Sequence, residues 1–170
     1  MATAWGAMNK ETPGPEGTAA LSYQYTHDYT KQNAGLGFSY RFGSPKDGLW
    51  VDEYHYRANR PSWSNGIKNE AIEQHFKDNI AEARAAAKAG YYKSVEVLQQ
   101  DSVTIEGVEL LHCRLRTVTK QGDTLQSHIY LTALDGELAK FRVSWFEAEK
   151  ELAQSSVNAF LKTRLKALKK

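Results

Sequence analysis

The apolar residues Ile72, Phe76, Ile80, Ala83 and Ala87 recur at spacings of four, four, three and four, and beyond Gly90 the repeat drops to two. The first spacing draws one stripe along a helix, and the second draws alternating faces along strands. This change of period limits the fold more than any other feature. It calls for a sheet that must be covered and a helix that covers it. The spacing predicts a helix over 67–89. Glu73 and Lys77 form an i,i+4 pair on its flank, Ala85-Ala86-Ala87 propagates it, and Gly90 stops it as the residue after the cap.

Alternation also precedes the helix. Tyr23, Tyr25, His27 and Tyr29 share one parity, as do Leu36, Phe38, Tyr40 and Phe42, and Gly43 to Gly48 is a turn cluster before the returning strand Trp50 to Tyr56. After the helix, 91–98 and a short 103–105 read as strands, followed by three longer ones at 108–119, 125–134 and 138–146. The apolar match selects a register for these three. With a Gln121–Asp123 turn, Leu115 faces Ile129, Cys113 faces Leu131 and Leu111 faces Ala133. With a three-residue Asp135–Glu137 loop, Ile129 faces Val143 and Leu131 faces Phe141. The expected apolar face is then Leu111, Cys113, Leu115, Ile129, Leu131, Phe141, Val143 and Trp145. The opposite face carries His112, Arg114, Arg116, His128, Tyr130, Lys140 and Arg142, with no acid. A closing helix over 148–168 presents Ala153, Val157, Phe160, Leu161, Leu165 and Leu168 as its stripe. Cations near the end of the chain, such as Lys162, Arg164 and Lys166, suit a helix C-terminus.

The chain of 170 residues fits one domain, expected over 21–170, preceded by a poorly anchored leader at 1–20 built around Thr12-Pro13-Gly14-Pro15. A net charge of +2 does not by itself announce nucleic-acid or membrane binding. The lone Cys113 rules out an intrachain disulfide framework and a cysteine zinc cluster. No apolar run approaches the roughly 18 residues of a membrane span, so none is expected. The N-terminus shows no signal-peptide pattern.

The run Gly35-Leu36-Gly37-Phe38-Ser39-Tyr40-Arg41 and its return Val51-Asp52-Glu53-Tyr54-His55-Tyr56 resemble the opening hairpin of small bacterial proteins, which are themselves similar to the PsbP-like α/β/α sandwich named for the photosystem II extrinsic protein. The likeness runs over residues 21–168 in order and pattern. It implies an α+β fold in which an antiparallel meander sheet is packed by a long central helix and a C-terminal helix. It also implies a binding or assembly role and an exported location, so periplasmic or secreted after signal removal is favoured over cytoplasmic. It carries over no functional residue.

No catalytic constellation stands out. Gly35-x-Gly37 lacks the third glycine and the following helix of a dinucleotide fingerprint, and no phosphate-binding Gly-Lys-Ser/Thr loop occurs. The five histidines show no zinc-ligand spacing, and Asp52 and Glu53 point to opposite faces of a strand. The chain is therefore expected not to be an enzyme and to carry no cofactor or metal. Its expected function is that of a non-catalytic interaction module. Tyr23, Tyr25, Tyr54, Tyr56 and Trp63 are its candidate binding residues, toward a protein partner or a small ligand. The alternative is an anion or nucleic-acid binder on the basic sheet face, using Arg114, Arg116, Lys140 and Arg142 with Tyr130 as a stacking platform.

Overall fold

The computed structural model describes residues 14–169. Seven strands form one sheet: β1 (Tyr23–Asp28), β2 (Phe38–Ser44), β3 (Leu49–Tyr56), β4 (Tyr92–Ile105), β5 (Val108–Thr119), β6 (Thr124–Leu134) and β7 (Glu137–Phe146). Their spatial order is β1-β2-β3-β7-β6-β5-β4, and every neighbouring pair is antiparallel. Two meanders, β1–β3 and β4–β7, thus meet at a β3–β7 seam. Helix α1 (Glu70–Lys88) lies between them in sequence, and α2 (Lys150–Leu168) closes the chain. The architecture is the α+β arrangement read from the periodicity.

Each helix takes one face of the sheet. On the front, α1 packs over β4, β5 and β6, placing Ile72, Phe76, Ile80 and Ala83 on Cys113, Leu115, Ile129, Leu131 and Leu138. It starts at Glu70 rather than 67, because Asn69 Oδ1 accepts the Ile72 N–H at 3.0 Å and caps it there. On the back, Val157, Phe160, Leu161 and Leu165 of α2 pack on Val51, Tyr130, Phe141, Val143 and Trp145.

Both expected registers shift. β5 and β6 pair Cys113 with Ile129 and Leu111 with Leu131, two residues away from the expected match. The loop is Lys120-Gln121-Gly122, one position earlier than expected, with Gly122 at a φ of +99° that favours glycine. A shift of two leaves every side chain on its expected face. The next turn has the larger consequence. Asp135 and Gly136 both hold positive φ, 52° and 81°, which is a two-residue type I′ hairpin turn. Tyr130 then faces Phe141 and Leu131 faces Lys140, one residue from the expected match. A slip of one turns the whole strand over. Phe141, Val143 and Trp145 therefore point back to α2, while Leu138, Lys140 and Arg142 point forward.

The segments 91–98 and 103–105 are one long strand, β4. An irregularity between Val97 and Gln99 shifts its parity, so Val95 and Val97 pack toward the front core while Val103 and Ile105 pack toward the back. Of the expected leader, residues 1–13 lie outside the described residues. In the described part of the leader, the Glu16 carbonyl accepts Arg164 Nη1 at 3.2 Å, and Leu21, the first residue of the expected domain, is fully buried.

Candidate functional site

Because α1 sits over β4–β6, the front of β3 and its seam with β7 stay open along the flank of the helix. A groove of about 440 Å³ runs there. Its walls follow from local periodicity. Tyr54 and Tyr56 alternate on β3 and both point forward. Lys140 is the cross-strand partner of Tyr54 on β7. His75, Asn79 and Glu82 come from α1 at i, i+4 and i+7, a polar stripe beside its apolar one. Tyr29 and Leu36 close the far side, and the Tyr29 ring stacks toward Tyr54 with centroids 6.4 Å apart.

Lys140 is the centre of this groove. Its Nζ donates to Asn79 Oδ1 at 2.8 Å and lies 4.5 Å from the Tyr54 ring centroid and 5.3 Å from that of Tyr56. The Asn79 amide is oriented by its own Nδ2, which donates to the His75 carbonyl at 2.8 Å, so its oxygen is left for the ammonium. Burial pushes the Lys140 amine down to about 8; Arg142 adds to the fall and Glu82 opposes it. The Tyr56 hydroxyl and His75 Nε2 are 2.8 Å apart. Burial lowers His75, with Lys140 adding to the shift, and burial raises the Tyr54 and Tyr56 phenols. A second cavity of about 280 Å³, lined by Ala83, Ala86, Tyr92 and Arg142, shares Asn79, Glu82 and Lys140 with the groove.

Of the five aromatic candidates, Tyr54 and Tyr56 come together here. Trp63 stands behind them: it is buried, its Nε1 donates to the Arg57 carbonyl at 2.8 Å, and its ring packs on His75 at 5.7 Å. Tyr23 turns to the back of the sheet, edge-on to Tyr40 and Phe42. Tyr25 is 50% exposed on the outer strand β1, under the Arg41 guanidinium. The sequence reading missed His75 and Asn79. The signal that could have found them is the polar i, i+4 spacing alongside the apolar stripe of α1.

The basic sheet face does not exist as one surface. The one-residue shift of β7 puts Lys140 and Arg142 on the front, whereas Arg114, Arg116 and Tyr130 are on the back. Tyr130 is 6% exposed within the α2 core, so it offers no face to a stacked base. Arg114 and Arg116 are exposed without that platform. In its place the back holds a polar chain that runs from the exposed Asp101 to two buried histidines. Asp101 Oδ1 accepts His112 Nδ1 at 2.7 Å, and His112 Nε2 lies 2.8 Å from His128 Nδ1. Burial, then the neighbouring His112 and Arg114, push His128 down to about 3. Cys113 is buried in the front core, and burial pushes its thiol up to about 11. Among the described residues, no group of three or more His, Cys, Asp or Glu is placed to hold a metal ion, and no helix is long and apolar enough to cross a membrane.

No protein-family profile matches the sequence, and neither does any curated protein. Among solved structures, the chain is similar to cyanobacterial PsbP (CyanoP) from Synechocystis sp. PCC 6803, determined in solution. The TM-score is 0.55 at 12% sequence identity, covering 91% of this chain and 96% of that one. The chain has a PsbP-like fold.

Proposed function

From a PsbP-like fold with an open aromatic groove beside α1, we propose that this chain is a non-catalytic binding module that takes its ligand between β3 and α1. One observation carries the reading. Two tyrosines, an ammonium, an amide and an imidazole converge on a groove of about 440 Å³. That volume lies in the range of roughly 300–1,000 Å³ common for small-molecule sites, which combine apolar walls with a few placed polar groups. It supports a small ligand, or a single side chain of a partner, over a broad protein interface. The PsbP-like fold supports a binding role by analogy of architecture alone.

The test is a fragment screen on the isotope-labelled chain, read by amide chemical shifts. Bound fragments are expected to move the resonances of His75, Asn79 and Tyr54 together. Tyr54→Ala is expected to weaken them about tenfold, the value of one aromatic contact. Hits that map elsewhere, or that ignore Tyr54→Ala, would overturn the reading.

A further inference from the structure

We propose that the groove's ligand is an aromatic carboxylate, with its carboxylate on Lys140 Nζ and its ring against Tyr54 and Tyr29. The inference rests on the groove being a binding site, and it adds the charge and shape of what binds.

The argument starts from the hydrogen-bond inventory of one amine. An ammonium has three N–H donors. The structure gives Lys140 Nζ one acceptor, Asn79 Oδ1, and two aromatic faces. Among the described residues, no carboxylate lies within 4.0 Å of it. Arg142, two residues along β7 on the same face, is also without an ion pair among the described residues. Its cross-strand neighbour Asp52 is engaged by Arg41 at 2.6 and 2.9 Å. The seam beneath the groove is therefore positive, with hydrogen-bond donors left over. Glu82, exposed on the rim of the groove, and Asp52 offset part of this charge at Lys140, yet neither forms an ion pair with its Nζ. A cationic ligand meets repulsion at this floor. A neutral one accepts a hydrogen bond at most from a carbonyl or hydroxyl oxygen and leaves the charge of the ammonium uncompensated. A carboxylate supplies both charge and acceptors, and charge-assisted bonds of this kind are the strong ones. The shape argument is separate. Tyr29 and Tyr54 stack, with 27° between ring planes and centroids 6.4 Å apart, and both line the groove that holds the amine. A ligand ring gains by packing edge-on or offset against aromatic side chains of this kind.

The same chemistry belongs to a free aromatic acid and to the last residue of a peptide that ends in an aromatic side chain. Titrations of the labelled chain with 2-naphthoate and with its neutral counterpart 2-naphthamide test the charge. A Gly-Gly-Gly-Phe peptide with a free or an amidated end tests the source. The naphthoate is expected to move the groove resonances and to bind about tenfold tighter than the amide. In Lys140→Met that preference is expected to vanish. In Lys140→Arg it is expected to persist, and the amide spectrum of each variant reports whether it folds. Preference for the free-ended peptide over both naphthalenes assigns a chain terminus; preference for naphthoate assigns a free acid. Equal binding of acid and amide, or a preference that survives Lys140→Met, would overturn the carboxylate while leaving the groove a binding site. If neither acid moves the groove resonances, the carboxylate is overturned as well. The groove reading then stands or falls on the fragment screen.

Discussion

Thr132 is fully buried on β6, and its Oγ1 finds no hydrogen-bond partner among the described residues. A buried hydroxyl without a partner costs stability, and valine has nearly the same shape without the polar atom. Thr132→Val is expected to raise the unfolding free energy by about 1 kcal/mol, measured by urea titration. A loss of stability would show that the hydroxyl is satisfied after all. The same scale explains what could be read of the site. Tyr54 and Tyr56 were legible as candidates because they are aromatics of one parity on a predicted strand. The role of Lys140 was not legible. Lys140 reads as part of a basic sheet face with Arg114 and Arg116, and only the pairing of β7 with β3 brings two tyrosine faces against it. Asn79 was silent for a similar reason, since its meaning lies in the cation it receives from β7.

At the scale of elements, α2 is held by more than its apolar stripe. Arg164 donates from Nε to Glu53 Oε2 at 2.7 Å and from Nη2 to Oε1 at 2.9 Å, and Glu53 is completely buried. Burial opposes ionisation of Glu53, yet the bonds from Arg164 and His55 outweigh it and hold the carboxyl below its usual range. Removing Arg164 takes the two guanidinium bonds from a buried carboxylate and leaves it only His55. Arg164→Met is expected to cost about 3–5 kcal/mol in chemical denaturation, and adding Glu53→Gln is expected to restore part of it. Additive losses in the double variant would mean that the pair is not coupled. Helix extents were largely legible because a 3.6-residue repeat and its caps are local. The face of β7 was not. Apolar matching favoured a three-residue loop, but Asp135-Gly136 takes a tight turn, and that single residue of difference turned the strand over. The two halves of β4 looked like separate strands because an irregularity near Leu98 changes which face its valines point to.

At the scale of the whole molecule, several buried groups resist protonation together, and stability acquires a direction with pH. His128 is held neutral down to about 3, against an unfolded value near 6.5. Between those two values the unfolded chain takes up a proton that the native one refuses. Stability is therefore full above about 6.5 and declines as pH falls toward 3. His75 is lowered as well and acts in the same sense. Denaturation at pH 7 and pH 5, above the main carboxylate range, is expected to differ by about 2 kcal/mol from His128 alone. His128→Gln is expected to flatten that slope, and an unchanged slope would move the titration to another group. The molecule's order of assembly also emerges only at this scale. β3 and β7 are far apart in sequence yet form the seam of the sheet, and α1 lies between them in the chain while packing to one side of that seam. The groove is the space left over by that placement. By itself the sequence determined the class of the fold, the approximate extents of both helices and the alternation within the strands other than β4, because these depend on neighbours a few residues away. The tertiary structure alone decided which face of β7 looks forward, how the candidate basic surface divides, and that Lys140 meets Tyr54, Tyr56 and Asn79. Those outcomes depend on turn conformation and on long-range pairing, where a step of one residue exchanges inside for outside.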